Sequence, residues 1–99
     1  MKKGEFINVS KRMVKEYFNR YIDNPGDIRK ITSKDVVVID FRDEPNVYRV
    51  ILVTMTSESL FYGVTYYKDT DEIHSYIYEK IEDRIKGRKE IIWVKKLIN

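Results

Sequence analysis

Apolar residues near the start of the chain keep to one side of a helix. Met13, Val14, Tyr17, Phe18, Tyr21 and Ile22 recur at steps of three and four, the spacing of a single helical face. Asn8 or Ser10 can cap the start, and Asp23-Asn24-Pro25-Gly26 supplies a stop. The pattern predicts an amphipathic helix over 9–23. Residues 24–34 are polar with Ile28 and Ile31 set among them, a packed connection or a short strand.

Beyond that point the period changes. VVVIDFR (36–42), VYRVILVTMT (47–56) and LFYGVTYYK (60–68) are rich in β-branched and aromatic residues and read as strands. DEPN (43–46) and Ser57-Glu58-Ser59 carry turn chemistry, and turns this short imply an antiparallel meander. Along 47–56, Arg49, Ile51, Val53 and Met55 alternate with Tyr48, Val50, Leu52 and Thr54. Both sides are apolar in the middle, so this strand is expected to be central and covered on both faces.

After the third strand, Asp69 with Glu72 three residues on has the form of a capping box. Ile73, Ile77, Ile81 and Ile85 follow at four-residue spacing, and Gly87 stands where a left-handed C-cap belongs. Arg84 and Lys86 would suit the C-terminal end of the dipole. These features predict a second helix, and IIWVKKLI (91–98) a last strand. The expected architecture is a single α+β domain over 1–99, α-β-β-β-α-β, with an antiparallel β-meander and two helices.

LFYGVTYY (60–67) sets four aromatic side chains around Gly63. Strand alternation puts Leu60, Tyr62, Val64 and Tyr66 on one face, the better core, and Phe61, Gly63, Thr65 and Tyr67 on the other. Phe61 and Tyr67 are therefore candidate interface or stacking residues, with Gly63 leaving room for a flat ligand. Ordinary sheet packing is the simpler reading, and burial against a second copy would satisfy both.

Composition adds a direction. The chain has no alanine, glutamine or cysteine, but thirteen isoleucines, twelve lysines and eight tyrosines. Such usage fits an AT-rich gene, and missing Gln and Cys with abundant Lys and Glu is the trend of proteins from very hot environments. In composition and size, and most clearly in IEDRIKGRKEIIWVKKLIN, the chain resembles small proteins of the filamentous viruses of hyperthermophilic archaea, the lipothrixviruses and rudiviruses. That resemblance implies a thermostable viral protein in the host cytoplasm or associated with the virion. It transfers no functional residue, and a gene of an AT-rich bacterial phage is the competing origin.

Several classes of function are disfavoured. Without cysteine there is no disulfide, thiolate nucleophile or Cys-based zinc site. The longest aliphatic runs, 36–39 and 50–53, fall far short of the roughly 20 residues of a membrane span. MKKGEF is not followed by the apolar run of a signal peptide, so no membrane partner is expected. The order α-β-β-β-α is also that of a double-stranded-RNA-binding domain. Asp69-Thr70-Asp71-Glu72 stands where such domains carry lysines, and it would repel phosphate.

Enzyme chemistry finds little support either. His74 is the sole histidine; Asp71 and Tyr78 lie within a helical turn of it, and Ser75 would need tertiary structure to become a nucleophile. Asp35, Asp40, Asp43 and Glu44 cluster around one strand, and Asp40-Phe41-Arg42 faintly suggests the strand end of a metal-dependent nuclease, the weakest alternative. Glycines at 4, 26, 63 and 87 form no phosphate loop. No catalytic residue, metal site or cofactor is expected.

Charge is the strongest functional pointer. Residues 1–20 carry a net +4, residues 84–99 a net +5, and residues 21–83 a net −6. Lys11, Arg12, Lys15 and Arg20 lie opposite the apolar stripe of the first helix. With Arg88 and Lys89 nearby they would form a patch for non-specific nucleic-acid binding, though a solvated helix face has the same pattern. Alternatively, basic ends of one copy meet the acidic middle of another. The expected function is that of a small accessory binding protein, a homodimer or a partner of a host or viral protein, with nucleic acid as the alternative.

Overall fold

Phe6, Ser10, Val14 and Phe18, four residues apart, are the buried line of helix α1 (Lys3–Tyr21). The computed structural model containing it describes residues 1–21, 30–55, 57–85 and 88–97. The helix begins six residues before the predicted start. Phe6 and Ile7 continue the apolar stripe backwards, and Ser10, expected as a cap, is a fully buried interior residue. Its Oγ donates to the Phe6 carbonyl at 2.8 Å, which satisfies the hydroxyl within the helix. The predicted stop at 23–26 lies outside the described residues.

A short 3-10 turn, Ser33–Asp35, leads from the connection into the sheet, where the Asp35 carboxylate accepts the Thr32 backbone N–H at 2.8 Å. Five strands follow: β1 (Val36–Asp43), β2 (Val47–Thr54), β3 (Ser57–Tyr67), β4 (Glu72–Ile85) and β5 (Arg88–Leu97). They form one sheet in chain order, every neighbour antiparallel. The expected meander is present and larger than expected. Ser57-Glu58-Ser59 belongs to β3 and not to a turn.

The predicted second helix is corrected: 72–85 is strand β4, so the order is α-β-β-β-β-β. Asp69 to Glu72 do not cap a helix. They form a hairpin turn in which the Asp71 N–H donates to the Tyr67 carbonyl at 2.9 Å, with Asp71 in the left-handed region at φ 59. Asp tolerates that conformation, as a tight turn requires. The Tyr66 hydroxyl donates to the Asp71 carboxylate and fixes the turn to β3. Topological likeness to a double-stranded-RNA-binding domain disappears with that helix, and the C-cap expected at Gly87 lies outside the described residues.

The core lies between α1 and one face of the sheet. Phe6, Val14 and Phe18 pack with Ile31, Val36, Val50, Leu52, Tyr62, Val64, Tyr66 and Ile77. Leu60, Tyr62, Val64 and Tyr66 are thus the inward set, as their alternation predicts. Phe6 stacks on Tyr48 at 5.5 Å between centroids, and Tyr48 on Tyr66 at 6.2 Å. Such ring pairs add about 0.5–1.5 kcal/mol each beyond their burial. Asn19 locks the incoming connection to the helix: its side chain donates to the Ile31 carbonyl at 3.0 Å and accepts the Ile31 N–H at 2.9 Å.

Candidate functional site: the open face of the sheet

Only one face of the sheet is covered by α1. Register aligns the residues of the opposite face in rows: Arg42, Arg49, Thr65 and His74; then Asp40, Ile51, Gly63 and Tyr76; beyond these lie the pairs Val37–Val53 and Phe61–Tyr78, separated by the register shift of β2 against β3 between Leu52 and Thr54. Its middle is apolar and aromatic, its upper rim charged. The expectation of a central strand apolar on both faces therefore holds for β2, but among the described residues no second helix covers the outer face.

The register shift between Val38 and Asp40 makes β1 irregular at Ile39. Ile39 is 52% exposed and Val37 37%, high values for aliphatic residues in a strand. Ile39, Ile51, Phe61 and Tyr78 line a shallow depression that is almost wholly apolar. Beside it lies a groove of about 150 Å³ whose walls include Arg49, Thr65, Tyr67, Tyr76 and Tyr78. Four strands about 4.8 Å apart and some 26 Å long give the face a plan area of about 500 Å².

Both candidate stacking residues are on this face, on opposite sides of Gly63 and half-buried. Phe61 belongs to the apolar depression, Tyr67 to the groove. The space over Gly63 is taken by Tyr78: a Cβ at Gly63 would stand 3.2 Å from Tyr78 Cε2. Tyr67 carries His74 edge-on at 5.2 Å between centroids, and His74 Nε2 lies 3.1 Å from Glu72 Oε2. Burial first, then the neighbouring Tyr67 hydroxyl, raises the Tyr76 pKa above the phenol value of 10.0.

His74 and Ser75 are separated by the pleat. His74 faces outward, whereas Ser75 is buried on the helix side with its Oγ 3.9 Å from Met13 Sδ. That geometry removes the serine–histidine pairing considered from sequence. The acids around β1 are also dispersed. Asp40 pairs with Arg42 at 3.3 Å, Asp43 with Lys68 at 2.8 Å and Glu44 with Arg49 at 3.6 Å, while Asp35 serves its turn. Among the described residues no three His, Asp or Glu side chains converge on a metal-sized site.

The basic candidates fall on two elements. Lys11, Arg12, Lys15 and Arg20 are on α1, Arg12 and Arg20 exposed, Lys11 and Lys15 half-buried. Arg88 and Lys89 begin β5, opposite Ile85 and Arg84. β3 accompanies β4 only as far as the pair Leu60–Glu79, so Lys80 to Ile85 have β5 as their one strand neighbour. Arg88 and Lys89 thus stand at the tip of a two-stranded arm about 20 Å beyond the end of that pairing. Sequence reasoning missed this arm because it read β4 as helix. No helix of the described residues is long and apolar enough to cross a membrane.

Comparison with protein-family models, curated proteins and solved structures finds no match to this chain.

Proposed function

We propose that this chain works by binding, with the open face of its sheet as the contact surface for another protein. One observation carries the reading. The face presents Val37, Ile39, Ile51, Val53, Phe61 and Tyr78 as one apolar and aromatic area on the side of the sheet away from α1. Ile39 is 52% and Val37 37% exposed, the other four half-buried, and exposed apolar residues gathered on one face mark a contact site. Its aromatic centre and charged rim also have the make-up of a protein interface. Dispersed acids and a histidine separated from its neighbouring serine favour binding over catalysis. A small accessory protein of a virus or mobile element is the role that fits.

A second reading rests on α1. Among the described residues Lys11, Arg12 and Lys15 make no ion pair; Arg12 is exposed, and Lys11 and Lys15 are half-buried beside it. Such a surface binds phosphate backbones without sequence choice.

One experiment separates the two. Val37→Lys with Ile39→Lys alters the open face, and Lys11→Ala with Arg12→Ala and Lys15→Ala alters the helix. Each is compared with wild type for uptake of an apolar fluorescent dye and for anisotropy of labelled duplex DNA and single-stranded RNA. The open-face reading expects dye uptake to fall in the sheet variant alone. Micromolar nucleic-acid binding that weakens by orders of magnitude between about 50 and 200 mM salt, and is lost in the helix variant, would move the function to α1.

A further inference from the structure

The register of the sheet sets two guanidinium groups against each other. Arg42 of β1 is paired directly with Arg49 of β2, Arg49 in turn with Thr65 of β3, and Thr65 with His74 of β4. Like charges opposite one another across a ladder are destabilising. We propose that this row heads a site for a small aryl phosphate monoester. The phosphate lies against Arg42 and Arg49, and the ring lies in the groove of about 150 Å³ that begins at Arg49. The groove adjoins the apolar depression, sharing Ile51 and Tyr78 with it, but the inference goes beyond the contact reading and does not depend on it.

Charge gives the first argument. Asp40 meets Arg42 at 3.3 Å and Glu44 meets Arg49 at 3.6 Å, each approaching Nε and each in solvent. Only the first contact is a hydrogen bond, and a single one. Neither is the two-pronged contact that a carboxylate makes with an arginine fork, and exposed single contacts contribute little. The acids offset the two arginines without bridging them. A phosphate monoester carries about two negative charges on three acceptor oxygens, enough to join both forks at once.

The groove gives the second. From Arg49 it runs past Ile51 and Gly63 and along Tyr67 and Tyr76. Its volume equals that of about ten water-sized spheres, the scale of one ring with a phosphate group. Tyrosine rings receive a flat guest face-on or edge-on, and Thr65 adds a hydroxyl beside Arg49. The arginine charge also reaches inward. Burial first, then Tyr67 and Tyr78, keep the Tyr76 hydroxyl protonated, and Arg49 acts on it in the opposite sense.

The test is an amide NMR titration of the nitrogen-labelled protein at low salt. Phenyl phosphate is the probe, with inorganic phosphate and phenol as its two parts and benzoate as the singly charged analogue. Phenyl phosphate should move the signals of Arg49, Gly63, Thr65 and Tyr76 saturably at millimolar concentration or below, and bind more tightly than the other three. Arg49→Gln should weaken it about ten- to hundredfold, as loss of a charge-assisted contact requires. Glu44→Gln should tighten it severalfold by removing the competing carboxylate, a gain that misfolding does not produce. Lys15→Ala, on α1, should leave it unchanged. No saturable shift, or equal binding by wild type and Arg49→Gln, would overturn the site. Inorganic phosphate binding as tightly as phenyl phosphate would overturn the aryl ligand, and benzoate binding more tightly would overturn the phosphate.

Discussion

The ring of Tyr78 on β4 lies across Gly63 on β3, close enough that a Cβ at Gly63 would stand 3.2 Å from Tyr78 Cε2. The neighbouring contact, Ile51 Cδ1, would be an ordinary one at 3.6 Å. The gap that the missing side chain opens between Phe61 and Tyr67 is filled by the protein's own aromatic residue. Within the sheet, Gly63 is a packing device.

Substitution of Gly63 should therefore be cheap at first and then abruptly costly. Alanine removes the roughly 0.5–1 kcal/mol entropic penalty of glycine in a strand, and it asks the Tyr78 ring to move by a few tenths of an ångström. The ring borders the open face and has room to do so. Gly63→Ala should stay within about 1 kcal/mol of wild type in urea unfolding, and Gly63→Leu should lose about 1–3 kcal/mol through overpacking. A loss above about 2 kcal/mol for alanine would show that Tyr78 is held rigidly in place.

Tyr62 and Tyr66, four residues apart on the same inward face, should respond oppositely to loss of their hydroxyls. Tyr62 is fully buried and, among the described residues, its hydroxyl has no hydrogen-bond partner. Tyr66 donates to Asp71. Tyr62→Phe should be neutral or stabilise by up to about 1 kcal/mol. Tyr66→Phe should cost about 1–2 kcal/mol by releasing the β3–β4 turn. Equal losses in denaturant titrations would mean that Tyr62 is satisfied after all.

How far the fold was legible can be seen at β4. Ile73, Ile77, Ile81 and Ile85 are four residues apart, and four is close to the helical repeat but is also twice the strand repeat. The stripe therefore lies on one face in either structure. Two signals separate the readings. A buried helical stripe needs apolar residues at i+3 as well, and two of those positions are Lys80 and Arg84. Tyr76 and Tyr78, two apart, find Gly63 and Phe61 across the ladder. That pairing is tertiary and leaves no local mark. Asp69 to Glu72 misled for a related reason, since the residues that cap helices also make tight turns. By contrast, the inward and outward sets of β2 and β3 were readable because one-residue alternation has no helical equivalent. Phe61 and Tyr67 were correctly placed on the outer face, whereas the arm depended on knowing that β4 is a strand.

Heat should leave this fold intact well beyond the mesophile range. The absence of glutamine and cysteine, the abundance of lysine and glutamate, and exposed ion pairs such as Lys68 with Asp43 at 2.8 Å all run in that direction. A circular-dichroism melt should show a midpoint above about 90 °C. A midpoint near about 55 °C would favour a mesophilic origin and confine the compositional signal to an AT-rich gene.

The basic residues of α1 should be nearly neutral for stability whatever they bind. Lys11→Ala, Arg12→Ala and Lys15→Ala replace one exposed and two half-buried side chains that make no ion pair among the described residues, and alanine is the strongest helix former. The triple variant should unfold within about 0.5 kcal/mol of wild type, or slightly later. A large loss would place these side chains in an interface that the stability measurement includes.

Alkali should unfold the protein in a way that tyrosine absorbance reports. Tyr62, Tyr66 and Tyr76 all hold their protons above the ordinary phenol pKa of 10.0. Burial is the main cause for Tyr62 and Tyr76, the hydrogen bond to Asp71 for Tyr66. A phenol is neutral when protonated, so the unfolded chain releases these protons first as pH climbs. Below pH 10.0 both states are protonated and the contribution of the three groups is intact. Above it the unfolded state binds fewer protons, and stability falls with each further unit until the folded-state values are reached. Denaturant stability should thus be nearly flat from about pH 7 to 9 and decline beyond about 10, with Tyr62→Phe declining less steeply. The late fraction of tyrosinate absorbance should appear together with the loss of the far-ultraviolet strand signal. Complete ionisation near pH 10.0 with that signal unchanged would mean that the folded protein does not protect these hydroxyls.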